Sequence, residues 1–98
     1  DFALELDIAW VQVGGEDPLK WIAKYADRIA AAHIKDIAPA GENTDEDGWA
    51  DPGHGIMDWT AIWGALGQTK AKYFVMEHDN PKDAERFARR AIETANNF

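Results

Sequence analysis

Three short apolar runs constrain this chain most: each closes on a side chain able to bind a cation, and each is followed by a segment of helical periodicity. They are ALELDIAW with Asp7, IAAAHIKD with His33 and KYFVMEHD with Glu77. Alternating strand and helix implies parallel strands joined by right-handed crossovers. In barrels and open sheets of this kind the chemistry gathers at the carboxyl ends of the strands. Two carboxylates and an imidazole placed there form a divalent-metal pattern.

Local signals bound the elements. Residues 3–10 read as a buried strand. Asp17 then caps a helix with Pro18 at its first position, and Leu19, Ile22, Ala23 and Ala26 carry its apolar stripe to about Arg28. Residues 29–36 return to strand character. A polar segment over 37–57 holds two prolines, four glycines and a cluster of acids, and is too long for a plain connector. Asp58 caps a helix bearing Trp59, Ile62, Trp63 and Leu66 that ends near Gly67. Residues 72–78 form the third strand. Asn80 and Pro81 start a last helix with Ala84, Phe87, Ala88, Ala91, Ile92 and Ala95 at close helical spacing.

The fold expected is therefore α/β, with order β-α-β-loop-α-β-α. Three parallel strands leave two unpaired edges, which folded domains avoid. A complete (β/α)8 TIM barrel needs about 250 residues. The 98 residues are thus expected to be a single partial domain over 1–98: the C-terminal three βα units of such a barrel, parallel strands with flanking helices, the upstream strands missing. On that reading the piece alone is inactive and prone to self-associate as a homo-oligomer. A free-standing α/β sandwich is the competing fold.

Strand side chains alternate faces. Glu5 and Asp7 share one face of the first strand, Ala31, His33 and Lys35 one face of the second, and Val75 and Glu77 one face of the third. Three converging carboxylates repel one another unless neutralised. A divalent cation held by Asp7, His33 and Glu77 does this, and Glu5 pairing with Lys35 forms the floor of the site. The alternative is a structural network in which the three satisfy one another. Mixed oxygen and imidazole ligands suit Mn2+ first, with Mg2+, Co2+ or Zn2+ as further options. Trp10 and Trp49, on strand-end loops, are candidates for stacking on a sugar ring. His54, in Pro52-Gly53-His54-Gly55, is either a substrate hydrogen-bonder or the exposed residue of a glycine-bracketed turn.

Composition removes several classes of function. The net charge of −8 lacks the basic surface that nucleic acid requires, and it disfavours an anionic membrane. No apolar run approaches the roughly 20 residues that span a bilayer. The absence of cysteine excludes disulfides and thiolate ligands, and a cytoplasmic setting fits it. Asn43, Asp45, Asp47 and Gly48 imitate a calcium-loop opening. Its twelfth position, however, is His54 rather than a bidentate glutamate, so a solvated acidic loop is expected.

ELDIAW, HIKD, PGHGIMDW and MEHD, in this order and spacing, resemble the C-terminal part of the sugar phosphate isomerase/epimerase family, a xylose-isomerase-like group of TIM barrels. The resemblance covers nearly the whole chain. It implies four metal ligands from the last four strands, of which Asp7, His33 and Glu77 match the final three. It implies a divalent-metal-dependent sugar or sugar phosphate isomerase/epimerase working by proton abstraction next to a carbonyl through an enediolate, with Glu77 as catalytic residue as well as ligand. Trp10, Lys35, His54 and Trp49 are the expected substrate contacts, and a small sugar or sugar phosphate is the expected partner. The chain departs from the ketose epimerases at Ala9 and Trp10 and has no arginine between Arg28 and Arg86, which leaves the substrate open. A metal-dependent dehydratase or lyase acting on a polyol or keto acid, and a non-catalytic α/β assembly fragment, remain alternatives.

Overall fold

The computed structural model describes residues 3–98; residues 1 and 2 of the expected domain lie outside the described residues. The chain divides into two compact units. The first runs up to Ile34 and includes Asp58–Val75, and the second comprises Lys35–Met57 and Met76–Phe98.

The first unit is built on three parallel strands, β1 (Leu4–Asp7), β2 (Ile29–Ile34) and β5 (Tyr73–Met76), in the order β1-β2-β5. Helices α1 (Ile8–Val13), α2 (Pro18–Lys24) and α3 (Trp59–Leu66) complete it. Its core is apolar and densely covered: Leu6, Ile8, Ala9, Ile22, Ile29, Ala32, Ile34, Trp59, Ile62 and Leu66 are buried. At about 25 cal/mol per Å2 of apolar surface, such side chains supply most of the driving force for folding. Trp63 of α3 packs on Phe74 of β5 with ring centroids 4.7 Å apart. That contact confirms which face of the third strand meets the helix.

The expected strand over 3–10 is shorter than its apolar run. Asp7 ends it by turning into a cap: its Oδ1 accepts the Trp10 N–H at 3.2 Å, and Ile8–Val13 continue as helix. A buried Ile8-Ala9 pair reads equally well as strand or helix by periodicity, so the local cap decided the outcome. The second helix begins as expected, with the Asp17 carboxylate accepting from Leu19 N–H at 2.9 Å and Pro18 inside the first turn, but it stops at Lys24. Asp58 caps α3 through Ala61 N–H at 3.2 Å.

In the second unit, β3 (Asp36–Ile37) and β4 (Trp49–Ala50) pair antiparallel, with a 3-10 turn at Thr44–Glu46 between them. The 37–57 segment is therefore an ordered excursion. The last helix, α4 (Ala84–Asn96), starts later than Asn80-Pro81 because Asp83 is its cap, accepting from Arg86 N–H at 3.0 Å. Its apolar stripe is not what holds it. Ile92 is 63% exposed and only Ala91 is buried. The ties are polar: Arg86 and Arg90 reach Asp51, and the Thr94 hydroxyl donates to the Pro52 carbonyl at 2.7 Å. Among the described residues no helix is long and apolar enough to cross a membrane.

Candidate metal centre

In the first unit the register of the parallel strands positions the candidate ligands. Leu4 lies opposite Ile29, but a one-residue irregularity before Glu5 sets Glu5 opposite Ala31 and Asp7 opposite His33. An unbroken register would have matched Asp7 with Ala32 and turned the two side chains out of phase. With the shift, Glu5 and Asp7 of β1 flank the imidazole of β2. His33 Nε2 lies 2.8 Å from Glu5 Oε1, and Nδ1 lies 3.7 Å from Asp7 Oδ2. His33 and Asp7 are partly exposed, with side chains 23% and 20% accessible.

The two distances have different meanings. The first is a hydrogen bond. The second exceeds the usual range of about 2.7–3.2 Å for N–H···O. It lies close to the spacing of two donors on one cation. Ligands at about 2.1 Å that subtend tetrahedral or octahedral angles are about 3.0–3.5 Å apart. The nitrogen and oxygen donors of His33 and Asp7 therefore fit a divalent cation after an inward shift of a few tenths of an ångström. The Asp7 carboxylate divides its work, since Oδ1 caps α1 and Oδ2 faces the imidazole.

Glu77, directly after β5, belongs to the second unit, where it meets Lys35. The Lys35 ammonium, only 2% exposed, lies 3.5 Å from Glu77 Oε1, 3.1 Å from Asp79 and 5.1 Å from the centre of the Trp49 ring. Glu5 was expected to pair with Lys35; instead Glu5 holds His33, and Lys35 holds Glu77 and Asp79. A buried ammonium needs charged partners close by, and the two strand-end acids provide them. Trp49 is 7% exposed and stacked on that ammonium, whereas Trp10 is 50% exposed. His54 is exposed and lines, with Asn43, Asp51 and Arg90, a polar cavity of about 90 Å3.

Asp36 organises the loop that carries His54. Wholly buried, it accepts backbone N–H groups from Ile37 and Met57 on one oxygen and from Gly53 and Gly55 on the other, at 2.9–3.1 Å. Gly55 is required there, because a Cβ would collide with the Ile37 carbonyl and the Asp36 carboxylate. The acids of the calcium-like stretch have ordinary partners: Asp45 takes Lys82 at 3.0 Å and Asp47 takes Asn80 at 3.1 Å.

A second polar cluster was not anticipated from the sequence. Arg86 donates to Asp51 at 2.8 Å and to Glu46, and the wholly buried His78 ring lies 3.3 Å from Glu46. The His78 ring also packs edge-on against Phe87, with ring centroids 6.1 Å apart. Burial holds the His78 imidazole below its ordinary pKa. The Lys82 backbone N–H, then Arg86, hold the Glu46 carboxyl below its own. Asp51 and Arg86 lie 35 residues apart, so the only sequence signal was the presence of acids in a loop and arginines on a helix.

No family model matches this sequence, and no curated protein matches it. Two solved structures from Parabacteroides distasonis ATCC 8503 do match in fold. One is of a protein described as a sugar phosphate isomerase/epimerase, with 24% identity and a TM-score of 0.65 over 97% of this chain. The other, of the same description, has 22% identity and a TM-score of 0.65 over 96% of the chain. The chain spans about 30% of the length of these structures. Its parallel strands and flanking helices thus have the α/β fold of part of a sugar phosphate isomerase/epimerase barrel.

Proposed function

We propose that this chain carries part of the active centre of a divalent-metal-dependent sugar or sugar phosphate isomerase/epimerase, with Asp7, His33 and Glu77 as ligands. The observation that carries the reading is the Asp7–His33 pair at adjacent strand ends, 3.7 Å apart, a spacing suited to sharing a cation. The likeness in fold to the two isomerase/epimerase structures supports it. Mn2+ suits the mixed donor set best.

When bound, the cation supplies the charge that polarises a sugar carbonyl and makes the neighbouring C–H acidic. The residues do the rest. Asp7 and His33 of the first unit would hold the cation. Glu77 takes the proton from the carbon beside the carbonyl and returns it, as a base and then an acid. Lys35 holds Glu77 Oε1 by charge and so limits the carboxylate's rotation. Trp10 and His54 are exposed and can meet sugar hydroxyls and ring faces, whereas buried Lys35 and Trp49 act on the substrate through Glu77.

The test is Mn2+ titration by calorimetry of the intact protein beside His33→Ala and Asp7→Asn. Saturable one-to-one binding is expected in the parent. The His33 variant should lose more than about 100-fold in affinity, since even outer partners of a ligating histidine are worth about 10- to 100-fold. A folded parent that takes up no cation overturns the metal reading and favours a non-catalytic assembly role. A ketose screen then distinguishes the chemistry: products isomeric with substrate support isomerisation, whereas loss of water points to a dehydratase.

A further inference from the structure

We propose that Glu5 is a positioning residue for His33: its carboxylate accepts the Nε2 proton and so presents Nδ1, on the Asp7 side, to the cation. The inference rests on the metal reading above and adds to it which nitrogen binds and what orients the ring.

A neutral imidazole carries one proton and one lone pair, and the partner of one nitrogen decides the role of the other. Here the partners differ. At 2.8 Å, the Nε2–Glu5 contact is a hydrogen bond that requires the proton on Nε2, because an ionised carboxylate only accepts. The Nδ1–Asp7 separation of 3.7 Å is too long for the alternative, in which Asp7 would accept an Nδ1 proton and Nε2 would bind. Glu5 is not placed by burial, since its side chain is 61% exposed. The register irregularity before Glu5 puts both acids of β1 astride the ring of β2, and strand irregularities of this kind commonly re-aim side chains at functional sites. The resulting order is carboxylate, imidazole, cation.

Zn2+, being diamagnetic, is the probe. Long-range 1H–15N correlation spectra of the intact protein, with His33 assigned by its absence in His33→Ala, show which ring nitrogen shifts as Zn2+ is added. The expected result is a coordination shift at Nδ1 with Nε2 remaining protonated. Glu5→Ala should weaken Zn2+ binding by about 10- to 100-fold, and Glu5→Gln, whose amide oxygen still accepts from Nε2, should recover part of that loss. A coordination shift at Nε2, or unchanged affinity in Glu5→Ala, overturns the inference while leaving the metal site standing. Absence of any Zn2+ or Mn2+ response in the folded parent overturns both.

Discussion

A single carboxylate shows how much one residue can organise. Asp36 receives backbone N–H groups from Ile37, Gly53, Gly55 and Met57, so a loop without extended secondary structure of its own has its donors satisfied at one point. Hydrogen bonds to a charged acceptor are worth about 1.5–3 kcal/mol each, and buried donors left without one are penalised. Asp36→Ala should therefore destabilise the protein by about 3 kcal/mol or more. Urea unfolding at neutral pH measures it, and a loss below about 1 kcal/mol would mean water replaces the carboxylate. Asp36→Asn turns an NH2 group toward donors and should recover little. Lys35 shows the same economy with opposite charge, one buried ammonium serving two strand-end acids.

At the scale of elements, α4 is attached by charge rather than by an apolar stripe. Its Arg86 links Asp51 and Glu46, and Arg90 adds a further contact to Asp51 at 3.2 Å. Glu46 has its carboxyl pKa lowered in the folded protein from 4.5, chiefly by the Lys82 backbone N–H and then by Arg86. A lowered carboxyl pKa means that the unfolded chain binds the proton more readily. The stabilisation is complete above about pH 5 and is lost as pH falls from 4.5 through the folded value. Asp45 and Asp83, also lowered, by Lys82 and by the Arg86 N–H respectively, act in the same direction. Thermal melts between about pH 6 and pH 3 should show a falling midpoint, with a shallower fall in Glu46→Gln because one of the linked protons is removed. Parallel curves for the two proteins would assign the acid limb to other carboxylates.

At the scale of the whole molecule, the three-stranded sheet of the first unit has β1 and β5 as its outer strands. Tyr73 and Val75 on β5 are 70% and 41% exposed. Outer strands with apolar side chains favour pairing between copies, and a lysine there opposes it. Where copies pair through this edge, Val75→Lys should lower the weight-average mass toward 10.9 kDa in sedimentation at high concentration, with unchanged circular dichroism. A parent already at that mass, or a mass unchanged in the variant, would rule out pairing through β5.

The sequence by itself determined what depends on neighbours within a few residues. Asp17-Pro18 and Asp58 announced two helix starts, because a cap involves only the next turn. Strand alternation put Glu5, Asp7 and His33 on a shared face, and the succession of strands and helices specified the α/β fold. Where two local readings compete, the same logic falls short: Asp7 proved to be a helix cap as well as a strand end, and Asp83 displaced Asn80 as the start of α4. Only the tertiary structure decided the partners. Glu5 meets His33 across 28 residues and Lys35 meets Asp79 across 44. The first pairing follows from a one-residue shift in strand register that leaves no mark on periodicity. The second follows from burial, which compels an ammonium to take the nearest acids the fold supplies. Alternation sets the side a residue faces; register and burial set what it touches there.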